Sequence, residues 1–174
     1  NHIRSFLLIY LNYLYINLVD EKKLLKYAVD YLSKYDSSKV NLVNVLKRKI
    51  LRLKTTNYEK GKLINIIESI IIKLEKNKFI DDDRYSSTKI LSLSNSGKST
   101  NFIFNYLIKK GVNKSQIQNN LNLMNQDNEN WELESAKIFA KKKKLLEKNE
   151  SYEKKLAKMA RAGFSYDICK KILS

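Results

Sequence analysis

Groups able to make or break bonds are scarce in this 174-residue chain. One histidine, His2, lies at the first residues, and one cysteine, Cys169, lies near the last. No Cys/His nucleophile pair, Ser-His-Asp set or metal cluster can be assembled from that inventory. Cys169 falls on the apolar side of its run and reads as a small buried hydrophobe. A lone cysteine leaves no internal disulfide, which suits a reducing, cytoplasmic compartment. The one nucleotide-like string is Ser96-Gly97-Lys98-Ser99-Thr100. A phosphate-binding loop needs a glycine five positions before Gly97, where Ser92 stands, and a buried strand ahead of it, where the pattern is helical. A helix-helix turn made by glycine and capped by serine accounts for the same string. The expectation is a protein that is not an enzyme, with no cofactor and no metal.

Charge is the abundant chemistry. Lys+Arg number 34 against 18 Asp+Glu, a formal net charge of +16. That balance points to a polyanionic partner, nucleic acid or an acidic protein surface. A/T-rich coding sequence is the competing source, since Lys, Asn, Ile and Tyr are abundant and Arg is scarce. The densest run, Lys141-Lys142-Lys143-Lys144, spans just over one helical turn and suits sequence-independent phosphate contact. The other candidates are Lys47, Arg48 and Arg52; Lys109, Lys110 and Lys114; and Lys158, Arg161, Lys170 and Lys171. For any one of them a solvated helix face is the alternative.

Helices must position these cations. The chain has no proline and four glycines, so little interrupts a helical pattern. Leu25, Ala28, Leu32 and Tyr35 recur at helical spacing, Ser37-Ser38 punctuates, and Leu42, Leu46, Ile50 and Leu53 mark a second helix. Thr56 and Glu59 have capping-box spacing before Leu63, Ile67, Ile70, Ile71 and Leu74. Asp81-Asp82-Asp83 supplies cap and first-turn charge to a helix carrying Tyr85, Thr88 and Ile90 or Leu91, and Arg84 is placed to pair with those aspartates. Helices from near Ser99 to Lys110 and from Ser115 to Met124 complete a second trio. A third trio begins with Leu133, Ala136 and Ala140 and continues through Tyr152 to Ala162 and Tyr166 to Leu173.

Two of the joints repeat. Leu107-Ile108-Lys109-Lys110-Gly111-Val112 runs into Asn113, and Met159-Ala160-Arg161-Ala162-Gly163-Phe164 runs into Ser165. Gly111 and Gly163 fit helix-ending left-handed positions, and Asn113 and Ser165 fit the caps that follow, with Gln116 at capping-box distance from Asn113. Trp131 reads as a packing residue between trios, and Phe164 and Tyr166 as closing the last core. The fold class expected is all-α: tandem three-helix, helix-turn-helix-like repeats with a period of roughly fifty residues, forming an elongated, curved array. The repeats are placed at 20–79, 80–126 and 127–174. Residues 1–19 are an apolar extension, too short to span a membrane, where about 20 apolar residues are needed, and without a signal-peptide cleavage site.

Three segments together resemble the RecX family of bacterial RecA regulators. They are Tyr27-Ala28-Val29-Asp30-Tyr31-Leu32-Ser33 leading into Ser37-Ser38; Phe79-Ile80-Asp81-Asp82-Asp83-Arg84-Tyr85 through Gly97-Lys98-Ser99 to Leu107-Ile108-Lys109-Lys110-Gly111-Val112; and Ala160-Arg161-Ala162-Gly163-Phe164-Ser165-Tyr166. Their order and spacing match from about Lys22 to Leu173. The resemblance implies a non-enzymatic regulator that lies along the RecA nucleoprotein filament groove. There it blocks strand exchange and limits ATP hydrolysis and co-protease activity. The expected partners are the RecA filament and single- or double-stranded DNA, with no membrane and no small-molecule substrate, and the chain is expected to act as a monomer. A basic helix-turn-helix protein binding DNA or RNA without RecA is the alternative. Two departures stand out. The first repeat runs through Lys47-Arg48-Lys49-Ile50-Leu51-Arg52 without a Lys-Gly turn, which predicts longer second and third helices. Basic positions are mostly lysine, which forgoes the planar guanidinium fork.

Overall fold

The computed structural model describes residues 21–147 and 150–174, and among these every regular element is helical. The reading of residues 1–19 lies outside the described residues. In chain order the helices are α1 (21–32), α2 (Lys39–Leu51), α3 (Asn57–Asn65), α4 (Ile67–Lys76), α5 (Asp82–Ser94), α6 (Thr100–Lys109), α7 (Lys114–Asp127), α8 (Trp131–Lys142), α9 (Tyr152–Arg161) and α10 (Tyr166–Leu173). They fall into two compact units divided between Asp81 and Asp82.

Short polar side chains start the helices. Ser38, Ser99 and Ser165 have extended backbone and accept the N–H of Asn41, Phe102 and Ile168 respectively. Thr56 and Glu59 form the reciprocal capping box that their spacing predicts. Gln116 does not form one. Asn113 Oδ1 instead accepts the N–H of Ser115 at 2.9 Å and its hydroxyl at 2.8 Å, a two-residue Asx turn that the short Asn side chain reaches more readily.

Left-handed residues end five of the helices. Gly97, Gly111 and Gly163 have φ of 86°, 79° and 90°, and Lys78 and Lys144 take the same turn at 57° and 55°. After each one, the next N–H returns to a carbonyl one turn back. Lys98 donates to Leu93, Val112 to Leu107 and Phe164 to Met159; Phe79 donates to Leu74 and Leu145 to Ala140. Val112, Leu145 and Phe164 are buried, so the reversal is anchored from the core side.

The first unit has one core, in which Ala28, Leu42, Leu46, Ile50, Ile70 and Leu74 are the most enclosed. Without the glycine turn, α2 runs to 13 residues against 10 for α6 and α9. The third helix is broken at Ile66 rather than continuous. α4 buries Ile67, Ile70, Ile71 and Leu74, whereas α3 buries none fully and meets the core through the partly buried Leu63 and Ile64.

The second unit has two cores. Tyr85, Ile90, Ile103, Leu107, Ile117 and Leu121 fill the first; Ala136, Ala140, Leu145, Met159, Phe164 and Cys169 fill the second. Trp131 opens α8 yet packs in the first core, and its Nε1 donates to Asn125 Oδ1 at 2.5 Å. It is thus the inter-repeat packing residue. Cys169 is buried as expected, and burial pushes its thiol pKa up. Tyr166 does not close the last core. It is the first residue of α10 and 62% exposed, while Ile168, Cys169, Ile172 and Leu173 provide the packed stripe.

Candidate functional site

The turn from Ser94 to Thr100 is fully engaged by α8 and by the end of α9. Ser135 Oγ donates to Lys98 O at 2.8 Å, Lys142 Nζ donates to Ser96 O at 3.0 Å, and Ser99 Oγ donates to Ala162 O at 2.7 Å. The Thr100 N–H, at the positive end of α6, donates to Glu132 Oε1 at 2.9 Å. A protein carboxylate therefore sits where a nucleotide phosphate would have to bind. An alanine Cβ at Gly97 would lie 2.9 Å from Phe139 N, so the string is a close packing joint rather than a phosphate cradle. The other glycine turn does the reciprocal job. A Cβ at Gly163 would meet Ser99 Oγ at 2.6 Å and Asn101 Cβ at 3.3 Å. Gly111 and Ser165 hold their predicted turn and cap positions. Asp82 and Asp83 lie in the first turn of α5, Asp81 immediately precedes it, and Asn120 Nδ2 of α7 donates to Asp83 Oδ1 at 2.9 Å.

The joints decide which cations meet. A groove of about 250 Å³ runs between α6 and the Gly163 turn, lined by Asn101, Phe102, Asn105, Tyr106, Lys109 and Arg161 with Ala162 and Gly163. Arg161 also lines a second groove with Phe139, Lys143 and Lys158. Neither lining contains a carboxylate. Glu150 reaches the second groove through Lys158 Nζ, which donates to its Oε2 at 2.6 Å, and that hydrogen bond holds the Glu150 pKa below the usual range. Arg161 Nε donates to Ala157 O at 3.2 Å, fixing the base of the guanidinium. Lys109 and Arg161 thus come together although 52 positions separate them in the sequence.

The remaining candidates are dispersed. Lys114, Lys170 and Lys171 are exposed on α7 and α10, and Lys110 caps α6 half-buried. Lys47 and Arg48 are exposed on α2 and Arg52 just after it, in the first unit. The four-lysine run does not wrap a helix. α8 ends at Lys142, Lys143 is its cap, and Lys144 takes the left-handed turn that lets Leu145 bury. Lys142 is bound to Ser96, and Lys143 faces the groove with Arg161.

Aromatic side chains at this site carry a signal that charge counting passes over. On α6 the Phe102 and Tyr106 rings stack with centroids 6.5 Å apart and planes 14° from parallel. Lys98 Nζ lies 4.5 Å from the Phe102 ring centre, and Lys110 Nζ lies 5.7 Å from that of Tyr106. The spacing Lys98, Phe102, Tyr106, Lys110 is four residues throughout, one stripe of a helix and its entry turn. Beside it run Asn101, Asn105 and Lys109 at the same interval.

Comparison with known proteins places this architecture. The chain is 33% identical over 154 residues to the regulatory protein RecX of Myxococcus xanthus strain DK1622, covering 84% of this chain and 81% of that protein. The chain belongs to the RecX family. It is therefore a member of a family of regulatory proteins. No family model matches it. Crystal structures of RecX share the fold. RecX from Lactobacillus salivarius aligns with a TM-score of 0.66 over 90% of this chain and 96% of its own, at 24% identity. A second RecX structure aligns at 0.68 over 88% and 72%, at 23% identity. Among the described residues no group of His, Cys, Asp and Glu is arranged to hold a metal ion. No helix among them is long and apolar enough to cross a membrane.

Proposed function

We propose that this chain binds the RecA nucleoprotein filament and restrains it, lowering its recombinase, ATPase and co-protease activities and so modulating recombination and DNA repair. Membership of the RecX family carries this reading. The basic groove of Lys109 and Arg161, whose lining holds no carboxylate, supports it, because a filament built on nucleic acid is polyanionic. Inhibition of this kind is a binding effect and asks no reaction of the inhibitor. Several modest contacts along one chain add through effective concentration, so no single lysine has to bind tightly. Lys109 and Arg161 are the contacts on which the reading stakes most, with Lys143 and Lys158 beside them; the exposed Lys47, Arg48 and Arg52 supply a separate patch in the first unit.

The test is a titration of RecA on single-stranded DNA, following ATP hydrolysis and strand exchange. The expected result is inhibition at substoichiometric ratios, weakened by Lys109→Glu with Lys110→Glu. Unchanged RecA activity at equimolar protein would sink the reading.

A further inference from the structure

Within the aromatic stripe on α6, half-buried Tyr106 packs against the first core, whereas Phe102 belongs to no core. Phe102 is 40% exposed and lines the groove with Tyr106. Cations stand at both ends of the stripe and along its side: Lys98, Lys110, Lys109 and Arg161. Asn105 Nδ2 donates to Asn101 O at 2.9 Å and to Asn101 Oδ1 at 3.0 Å, which turns Asn105 Oδ1 and Asn101 Nδ2, an acceptor and a donor, to other use. Flat apolar faces, an amide donor and acceptor, and cations spaced along the rim are three different chemistries in one open groove. An acidic peptide would use only the cations. A duplex would offer its phosphates to them but hide its base faces. Exposed bases use all three, through stacking, edge hydrogen bonds and phosphate contact.

We propose that the α6 groove is a binding strip for single-stranded nucleic acid, with a base stacked on Phe102 and its flanking phosphates on Lys109 and Arg161. Lys98, on a flexible stem, exchanges its place over the Phe102 ring for a phosphate when the base arrives. The site does not depend on the RecA reading, because every group it uses lies on this chain.

The experiment is fluorescence anisotropy of a labelled 20-nucleotide oligo-dT with the full chain, RecA absent. An abasic chain and a duplex of equal length serve as competitors. Oligo-dT should compete best, and Phe102→Ala should weaken it about tenfold or more, in the range of one lost base-aromatic stack. Phe102→Trp should retain binding, and Phe102→Leu, which keeps apolar bulk without a π face, should not. Lys109→Gln with Arg161→Gln should flatten the salt dependence by about 0.7 logarithmic units for each phosphate deprived of its cation. Circular dichroism melts of each variant separate weakened binding from failed folding. Equal competition by the abasic chain, or indifference to Phe102→Leu, would overturn stacking. Absence of oligo-dT binding in a chain that still inhibits RecA through Lys109 and Arg161 would overturn the strip, assign the groove to a protein surface and leave the filament reading intact.

Discussion

The two units use the same helix-turn-helix parts but join them differently. In the first, three helical segments close on one core, and the α2–α3 junction lacks a left-handed residue, so α2 runs on to Leu51. In the second, two trios interlock through paired turns. The Gly97 turn packs on the Phe139 backbone of α8, and the Gly163 turn packs on Ser99 at the start of α6. Ser99 caps its own helix by accepting from Phe102 N–H, and its hydroxyl proton goes to Ala162 O, so one side chain serves both trios. The groove that gathers Lys109 and Arg161 exists only because these trios are interlocked. In the first unit Lys47, Arg48 and Arg52 are exposed on α2 and just after it. In the second unit, glycine lets one turn sit directly on the next trio, and a groove is walled where they meet.

Breaking the interlock gives the largest expected effects. Gly97→Ala combines a left-handed φ with a Cβ 2.9 Å from a backbone nitrogen that cannot rotate away. Its cost should be about 3 kcal/mol, the sum of left-handed strain and overpacking. Gly163→Ala meets the Ser99 hydroxyl at 2.6 Å, which turns aside only by giving up both its cap and its bond to Ala162 O, so about 3 kcal/mol is expected here as well. Gly111→Ala should cost about 1 kcal/mol, from its φ of 79°. Urea unfolding of the three variants reads that order directly. If Gly97→Ala proved no worse than Gly111→Ala, close packing would not be what selects glycine at the joint.

Ser99→Ala against Ser165→Ala sharpens the contrast at smaller scale. Both serines cap helices by accepting an N–H, and Ser99 also donates to Ala162 O in another trio. A cap alone is worth about 1 kcal/mol, and the bond to Ala162 O adds about 1 kcal/mol more. Denaturation of the two variants should therefore differ by about that increment. Equal losses would show that the bond across the trios contributes nothing net.

Much of this was legible because helix ends are local. The glycine turns, the serine caps and the Thr56 box depend on residues within five positions of one another, and spacing reveals them. Two left-handed lysines escaped notice, since Lys78 and Lys144 carry no glycine to mark them; the buried Leu145 explains the second, pulling the chain back and splitting the four-lysine run. Gln116 misled because an Asn cap can satisfy the amide two residues on and leave the third unused. Tyr166 misled because a helix's first residue need not share its apolar stripe. The groove itself lay beyond reach. Lys109 and Arg161 meet through the Gly163 turn, and nothing in either segment names the other. The stripe Lys98, Phe102, Tyr106, Lys110 was within reach, since its four-residue spacing is visible in the sequence once aromatic residues are counted with the cations.

The smallest effect probes what holds the first unit in place of interlocked turns. α1 is tied to α4 by Glu21, whose carboxylate accepts from Lys73 Nζ at 2.5 Å and from Ser69 Oγ at 3.2 Å. The Lys73 hydrogen bond, opposed by burial and aided by the lysine charge and Ser69, holds the Glu21 pKa below its ordinary value. A depressed carboxylate pKa means that the unfolded chain takes up the proton first as pH falls. The contribution is present in full above the unfolded pKa and is lost as pH drops through the folded one. Lys73 is half exposed, so solvent screening limits the pair to about 0.5 kcal/mol. Glu21→Gln should then lower stability by that amount at pH 7, and variant and parent should converge as pH falls below the carboxylate range. A gap that stayed constant with pH would mean that the amide costs packing rather than charge, and that the first unit's outer helix is held by its apolar face alone.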